Sequence, residues 1–132
     1  MSSLTSLITT LTLLFYLVIT INVSQARSKY KVLPPQTLGD PNFERVLRVQ
    51  QNTLEQIVFF LPSLWLFSFY VSPLWSTILG AVWLAGRIAY ALGYYQAAEK
   101  RLIGFGLSSL SSTLLVLGSF VGIILSFSKL PS

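Results

Sequence analysis

Residues 43–70 read FERVLRVQQNTLEQIVFFLPSLWLFSFY. The stretch reads as one long helix in two parts. Its first third is polar, with Glu44, Arg45, Arg48, Gln50, Gln51, Asn52, Glu55 and Gln56, and its remainder from Ile57 to Tyr70 carries no charge. Pro62 falls inside it and predicts a kink, which membrane helices tolerate because neighbouring groups satisfy the freed carbonyl. A helix half polar and half apolar along its length, rather than around its circumference, points to a lipid-embedded chain with a polar end.

The flanking sequence agrees. Of 132 residues, 53% are hydrophobic and only 10% are charged, against about 25% charged in soluble domains. Residues 4–21 are nearly all Leu, Ile, Thr, Phe and Val, close to the roughly 20 apolar residues that a crossing helix needs. Ser24-Gln25-Ala26 would suit signal-peptide cleavage. But no Lys or Arg precedes the run, and Arg27, Lys29 and Lys31 follow it directly, so it is read as a span. Pro34-Pro35 and Gly39-Asp40-Pro41 make residues 27–42 a polar loop. Residues 74–98 form a third apolar segment broken only by Arg87, and residues 102–127 a fourth without charge.

The expected architecture is therefore a single all-α domain, an integral membrane four-helix bundle with helices at about 4–24, 43–70, 74–98 and 102–127. Lys and Arg concentrate in the first and third loops, so the positive-inside rule puts those loops in the cytoplasm and both termini on the opposite side. That distribution accounts for the net charge of +5 without a nucleic-acid partner.

There is no His and no Cys. That removes the commonest general base, the commonest metal ligand and every thiolate, so no metal site is expected. The remaining chemistry lies in one polar patch. At about 100° per residue, Glu44, Arg45, Arg48, Gln51, Asn52, Glu55 and Gln56 fall within roughly 140° of the helix circumference, with Gln50 nearly opposite. On the third helix the same arithmetic groups Arg87, Tyr90, Tyr94 and Arg101 within about 60°. Glu55 and Arg87 come to similar depth, which suggests an intramembrane ion pair, because a lone charge there costs about 2.5–3.5 kcal/mol on insertion scales. Lys29, Lys31, Lys100 and Lys129 read as interfacial anchors, and Tyr94 and Tyr95 could be belt aromatics. Asn52, Glu55 and Arg87 lie too deep for that. Guanidinium groups grip carboxylates in forked geometry and Glu55 could take an ammonium, so the inventory suits a polar anionic or zwitterionic ligand.

Residues 43–55, together with Pro34-Pro35, Leu64-Trp65, Gly86-Arg87, Tyr90, Gly93-Tyr94, Ala97 and Lys100-Arg101-Leu102, resemble the MAPEG family of membrane proteins in eicosanoid and glutathione metabolism. The likeness covers about residues 20–125 and is nearest to the branch holding the microsomal glutathione transferases and leukotriene C4 synthase, in a bacterial version. It implies a homotrimer that binds glutathione as co-substrate between subunits and acts on a lipophilic electrophile or a lipid hydroperoxide, as a transferase with peroxidase activity. It further implies that Arg48, Asn52, Glu55, Tyr90 and Tyr94 bind glutathione within one subunit, that Arg27 and Gln50 reach in from the neighbour, and that Arg101 is the catalytic, thiolate-stabilising residue, leaving Arg87 as a structural intramembrane charge.

The sequence departs from the family's leukotriene-forming members at Ser28, where they have Arg, and at Gln56, where they have Tyr. Their Pro three or four residues after the motif Glu is displaced here to Pro62. These differences bear on leukotriene synthesis and leave Arg48 and Arg101 untouched. The family's non-enzymatic activating protein lacks both arginines. Two other readings are a lipid-binding scaffold, which would not need Arg101, and a small transporter, which should show inverted repeats or broken helices.

Overall fold

The structure, a computed structural model, describes residues 2–129; Met1 and residues 130–132 lie outside the described residues. It consists of α1 (Ser2–Tyr30), α2 (Pro41–Tyr70), α3 (Pro73–Gln96), a single 3-10 turn (Ala98–Arg101) and α4 (Leu102–Phe127), and all four long helices are long and apolar enough to cross a membrane. No strand occurs among the described residues. α2 is continuous through Pro62.

The helix ends follow local chemistry. Asp40 starts α2: its side chain accepts from the Asn42 N–H at 2.8 Å, and Pro41 occupies the first helical position, where a missing N–H costs nothing. Ser72 and Pro73 repeat the device for α3. α1 extends past the expected boundary at residue 24, so Arg27 and Lys29 are helical rather than in the loop. Its stop is a Schellman-type closure in which Lys31 takes the left-handed conformation (φ 57) and the Val32 N–H reaches back to the Arg27 carbonyl at 3.1 Å. Val32 then packs with Ala26, as such closures require.

The interior of the bundle mixes apolar side chains such as Phe60, Leu64, Trp83 and Leu115 with small hydroxyl residues, and its exterior is apolar. Thr5, Thr12, Thr53, Ser76, Ser108, Ser111, Ser112 and Ser119 are buried, while Phe69 is 82% and Ile103 79% exposed. Between helices in lipid there is no hydrophobic driving force, so small residues that allow close backbone approach are enriched at the contacts. Most buried hydroxyls bond to a carbonyl in the preceding turn of their own helix, as Ser112 Oγ does to Ser108 O at 2.9 Å. Ser119 also crosses to α2, donating to Ser63 O at 3.1 Å. A central aromatic stack, Phe60 on Trp83 with centroids 3.8 Å apart and planes 7° from parallel, ties α2 to α3. Trp83 Nε1 is satisfied by Gln56 Oε1 at 3.2 Å, and Gln56 Nε2 donates to Ser109 Oγ at 3.3 Å. Gln56 thus bridges α3 and α4 inside the bundle.

The closest approach is between the C-terminal half of α3 and the start of α4. A Cβ on Gly104 would lie 2.2 Å from the Tyr90 backbone nitrogen, and one on Gly93 would lie 2.3 Å from the Lys100 carbonyl oxygen. These two glycines let α4 and the 3-10 turn fold directly against α3. A side chain at Gly104 must force the helices apart, with overpacking costs of about 1–3 kcal/mol or more. Gly104→Leu should therefore lower the thermal unfolding midpoint in detergent markedly. Gly106→Leu, where nothing lies within 4 Å, should leave it nearly unchanged, although both raise helix propensity equally; equal midpoints for the two variants would refute the close-packing account.

Candidate functional site

The polar ends of α2 and α3 meet the 3-10 turn around a cavity of about 320 Å³ lined by Arg48, Gln51, Asn52 and Glu55 of α2, Tyr90 and Tyr94 of α3, Arg101 of the turn, and Leu102 and Phe105 of α4. The four α2 residues occupy a stripe of about 100°, narrower than the sequence patch. Gln56, on the inner flank of that patch, turns into the bundle as described. Glu44 and Arg45 turn to the helix start: Glu44 Oε2 accepts from Gly39 N–H at 3.2 Å, and Arg45 Nη2 donates to Asn42 Oδ1.

Arg87 lies fully buried beside this stripe. The expected Glu55–Arg87 ion pair does not form. Instead Arg87 Nη2 donates to Asn52 Oδ1 at 2.8 Å and Thr53 Oγ1 at 2.7 Å, and Nη1 donates to Ser108 Oγ at 3.4 Å. The reason is angular. On α2, Asn52 and Thr53 flank the direction facing α3, whereas Glu55 points about 60° away from Asn52 toward the cavity. The guanidinium is further covered by the Tyr90 ring, 4.0 Å from its centroid, a favourable cation–π contact. Glu55 therefore faces the cavity as an exposed carboxylate.

Tyr90 meets Tyr94 edge to face, with centroids 5.5 Å apart. The Arg101 guanidinium lies 5.4 Å from the Tyr94 centroid, and its Nη1 donates to Ala98 O. Arg101 is not on α3, contrary to the single-helix arithmetic: α3 ends at Gln96 and Ala97 is extended (φ −163, ψ 145). The turn nevertheless returns Arg101 to the same cavity, because Gly93 lets it fold onto α3. Arg48, Arg101, Glu55, Asn52, Tyr90 and Tyr94 are thus brought together within one chain.

Arg27 and Gln50 are not. Arg27 Nη1 donates to Val32 O at 3.2 Å and Gln36 O at 2.8 Å, with its guanidinium 4.9 Å from the Phe43 ring centroid. Gln50 Nε2 donates to Thr20 Oγ1 of α1 at 3.2 Å. Both lie on the other side of α2 from the cavity. Sequence reading left Leu102 and Phe105 out of the site. The signal was present, since they follow Arg101 at one and four residues, but both look like lipid-facing residues until α4 is docked. Gln51 was in the patch without an assigned role.

The cavity is polar and holds two guanidinium groups, one carboxylate and two phenols. Two other hollows are apolar. The larger, about 750 Å³, opens at the opposite end of the bundle around Phe67, Trp75 and Val121. No group of three or more His, Cys, Asp or Glu that could hold a metal ion occurs among the described residues.

Comparison with known proteins places this architecture. The model of the MAPEG family matches residues 5–121. The chain is 62% identical over 119 residues to an uncharacterized protein of Synechocystis sp., covering 90% of this chain and 87% of that one. It is 46% identical over 106 residues to microsomal glutathione S-transferase 2 of Bos taurus, covering 80% and 72%. It is 32% identical over 120 residues to leukotriene C4 synthase of Bos taurus, covering 91% and 80%. With four helices able to span a bilayer and a family match over most of its length, this integral multi-pass membrane protein belongs to the MAPEG family.

Proposed function

We propose that the chain is a membrane-bound glutathione transferase. It activates the thiol of glutathione and either transfers the sulfur to lipophilic electrophiles or reduces lipid hydroperoxides. The observation that carries this reading is the convergence of Arg48 and Arg101 with Glu55 and two tyrosines on one cavity. Glutathione is a zwitterion with two carboxylates, one ammonium and a thiol. Arg48 supplies a forked partner for a carboxylate, Glu55 a partner for the ammonium, and the Asn52, Tyr90 and Tyr94 side chains hydrogen-bonding partners for the rest. The names of the relatives support the same substrate.

Arg101 is assigned the chemical role. A thiol attacks only as thiolate, and a free cysteine thiol has a pKa near 8.5. Lowering it by about 2 units needs roughly 2.7 kcal/mol of differential stabilisation of the anion, which a guanidinium held close to the sulfur can supply. The proton leaves to solvent, the sulfur forms a new bond to the electrophilic carbon, and the leaving group departs with the electron pair of its broken bond. Leu102 and Phe105 border Arg101 on the apolar side, where a lipid-dissolved electrophile would arrive.

The site lies at the bundle end that carries Arg27, Lys29, Lys31 and Lys100, so we place it on the cytoplasmic side with both termini opposite. Arg27 and Gln50 face away from the cavity of their own chain, and in a homotrimer they would complete the site of a neighbour.

Two variants divide the roles. Arg101→Ala should abolish the ultraviolet absorbance of bound thiolate and lower kcat/KM on the order of 100-fold, with glutathione binding largely kept. Any residual thiolate should form only as pH rises toward about 8.5. Undiminished activity would remove Arg101 from the chemistry. Arg48→Ala should instead raise the glutathione KM about tenfold, the scale of one lost hydrogen bond to a charged group; an unchanged KM would move the binding site elsewhere.

A further inference from the structure

We infer that Arg87 is a positioning residue for the glutathione site, acting through Asn52 by fixing which end of its amide faces the cavity. The inference rests on the functional reading above and deepens it. Arg87 is fully buried, is not solvent-accessible from the cavity, and is bonded to neutral oxygens of α2 and α4. A guanidinium has five donors and no acceptor. Its Nη2 lies 2.8 Å from the Asn52 side chain, so the atom Asn52 turns toward Arg87 must be the oxygen. The amino group is then the part left to the cavity, which Asn52 lines. The wall at this point is a donor, matched to a carbonyl or carboxylate oxygen of the ligand and unsuited to its ammonium. Glu55, three residues on and not engaged by Arg87, offers the complementary acceptor. Arg87 also holds Tyr90 in place through the face of its ring, at 4.0 Å, so both side chains it orients belong to the cavity. The polarity of the α2 wall, donor at Asn52 and acceptor at Glu55, is set by a residue that never touches the ligand.

The test is made on the full-length protein in detergent, with glutathione binding by calorimetry and steady-state conjugation of an aryl halide electrophile. Arg87→Met keeps the volume and removes the donors. Glutathione affinity should fall about tenfold and KM rise in step, with kcat within about twofold of wild type. Arg87→Lys, whose ammonium can still donate to the Asn52 oxygen, should recover most of that loss. Should Arg87→Met fail to fold, Asn52→Asp remains decisive. It gives Arg87 a carboxylate partner, so the fold should be at least as stable, yet it offers the cavity no donor, and glutathione binding should weaken by tenfold or more. If the wild type binds glutathione and either Asn52→Asp or a folded Arg87→Met binds it equally well, Arg87 is only a structural charge and the inference falls. A fall in kcat at constant KM in Arg87→Met also overturns it. Failure of the wild type itself to bind glutathione would overturn the functional reading.

Discussion

The structure depends on burying one guanidinium without a counter-ion. A charge at the centre of a membrane helix costs about 2.5–3.5 kcal/mol on insertion scales, and Arg87 offsets this with groups drawn from three of the four helices. Asn52 and Thr53 come from α2, Ser108 from α4, and the Tyr90 ring from its own helix. Each contact is weak beside an ion pair, but together they demand one rotational setting of α2 and α4 against α3. A Glu55–Arg87 pair would have neutralised both groups and closed the site. Bonding the Nη groups of Arg87 to neutral oxygens, with its buried Nε left without a partner, keeps a carboxylate available at the cavity and leaves an unneutralised positive charge beneath it.

That arrangement requires α4 to approach α3 closely, and this is where the small residues act. Gly104 lets α4 touch the backbone at Tyr90, and Ser108, one turn on, reaches Arg87. The same docking places Leu102 and Phe105 on the cavity rim and, with Gly93, returns the 3-10 turn and Arg101 to Tyr94. The packing motif and the site are therefore one feature: any side chain that displaced the start of α4 would also displace Arg101 from Arg48.

The helices and the polar end of the bundle were legible in the sequence because lipid imposes a long apolar run on every span, and polar residues within such runs stand out. The ends were less legible. Lys31 closes α1 in the left-handed conformation that a glycine would have advertised, so the helix runs on through Arg27. Ala97 breaks α3 with no Pro or Gly at its own position, and the helical arithmetic that put Arg101 beside Tyr94 reached the right neighbourhood across a break it did not foresee. The Arg87 partner was misjudged because depth alone was compared. The choice between Glu55 and Asn52 is decided by rotation about α2, and that rotation is fixed by Phe60 on Trp83 and by Gln56 between α3 and α4, contacts that no single helix reveals.

A protein without His or Cys has few ways to activate a nucleophile, and the balance of charge in this cavity supports the one proposed. Arg48 and Arg101 outweigh Glu55 at the lining. Such an excess favours whichever ligand form carries more negative charge. On the proposed reading a bound thiol would be shifted toward thiolate chiefly by Arg101, which sits at the junction of the polar wall and the apolar rim formed by Leu102 and Phe105. On that reading the base would be solvent, reached through the open polar side, and the electrophile would arrive from the lipid side. The proposed chemistry asks that the two arginines stay on the same cavity, and the burial of Arg87 and the contact at Gly104 hold the helices in the arrangement that brings them there.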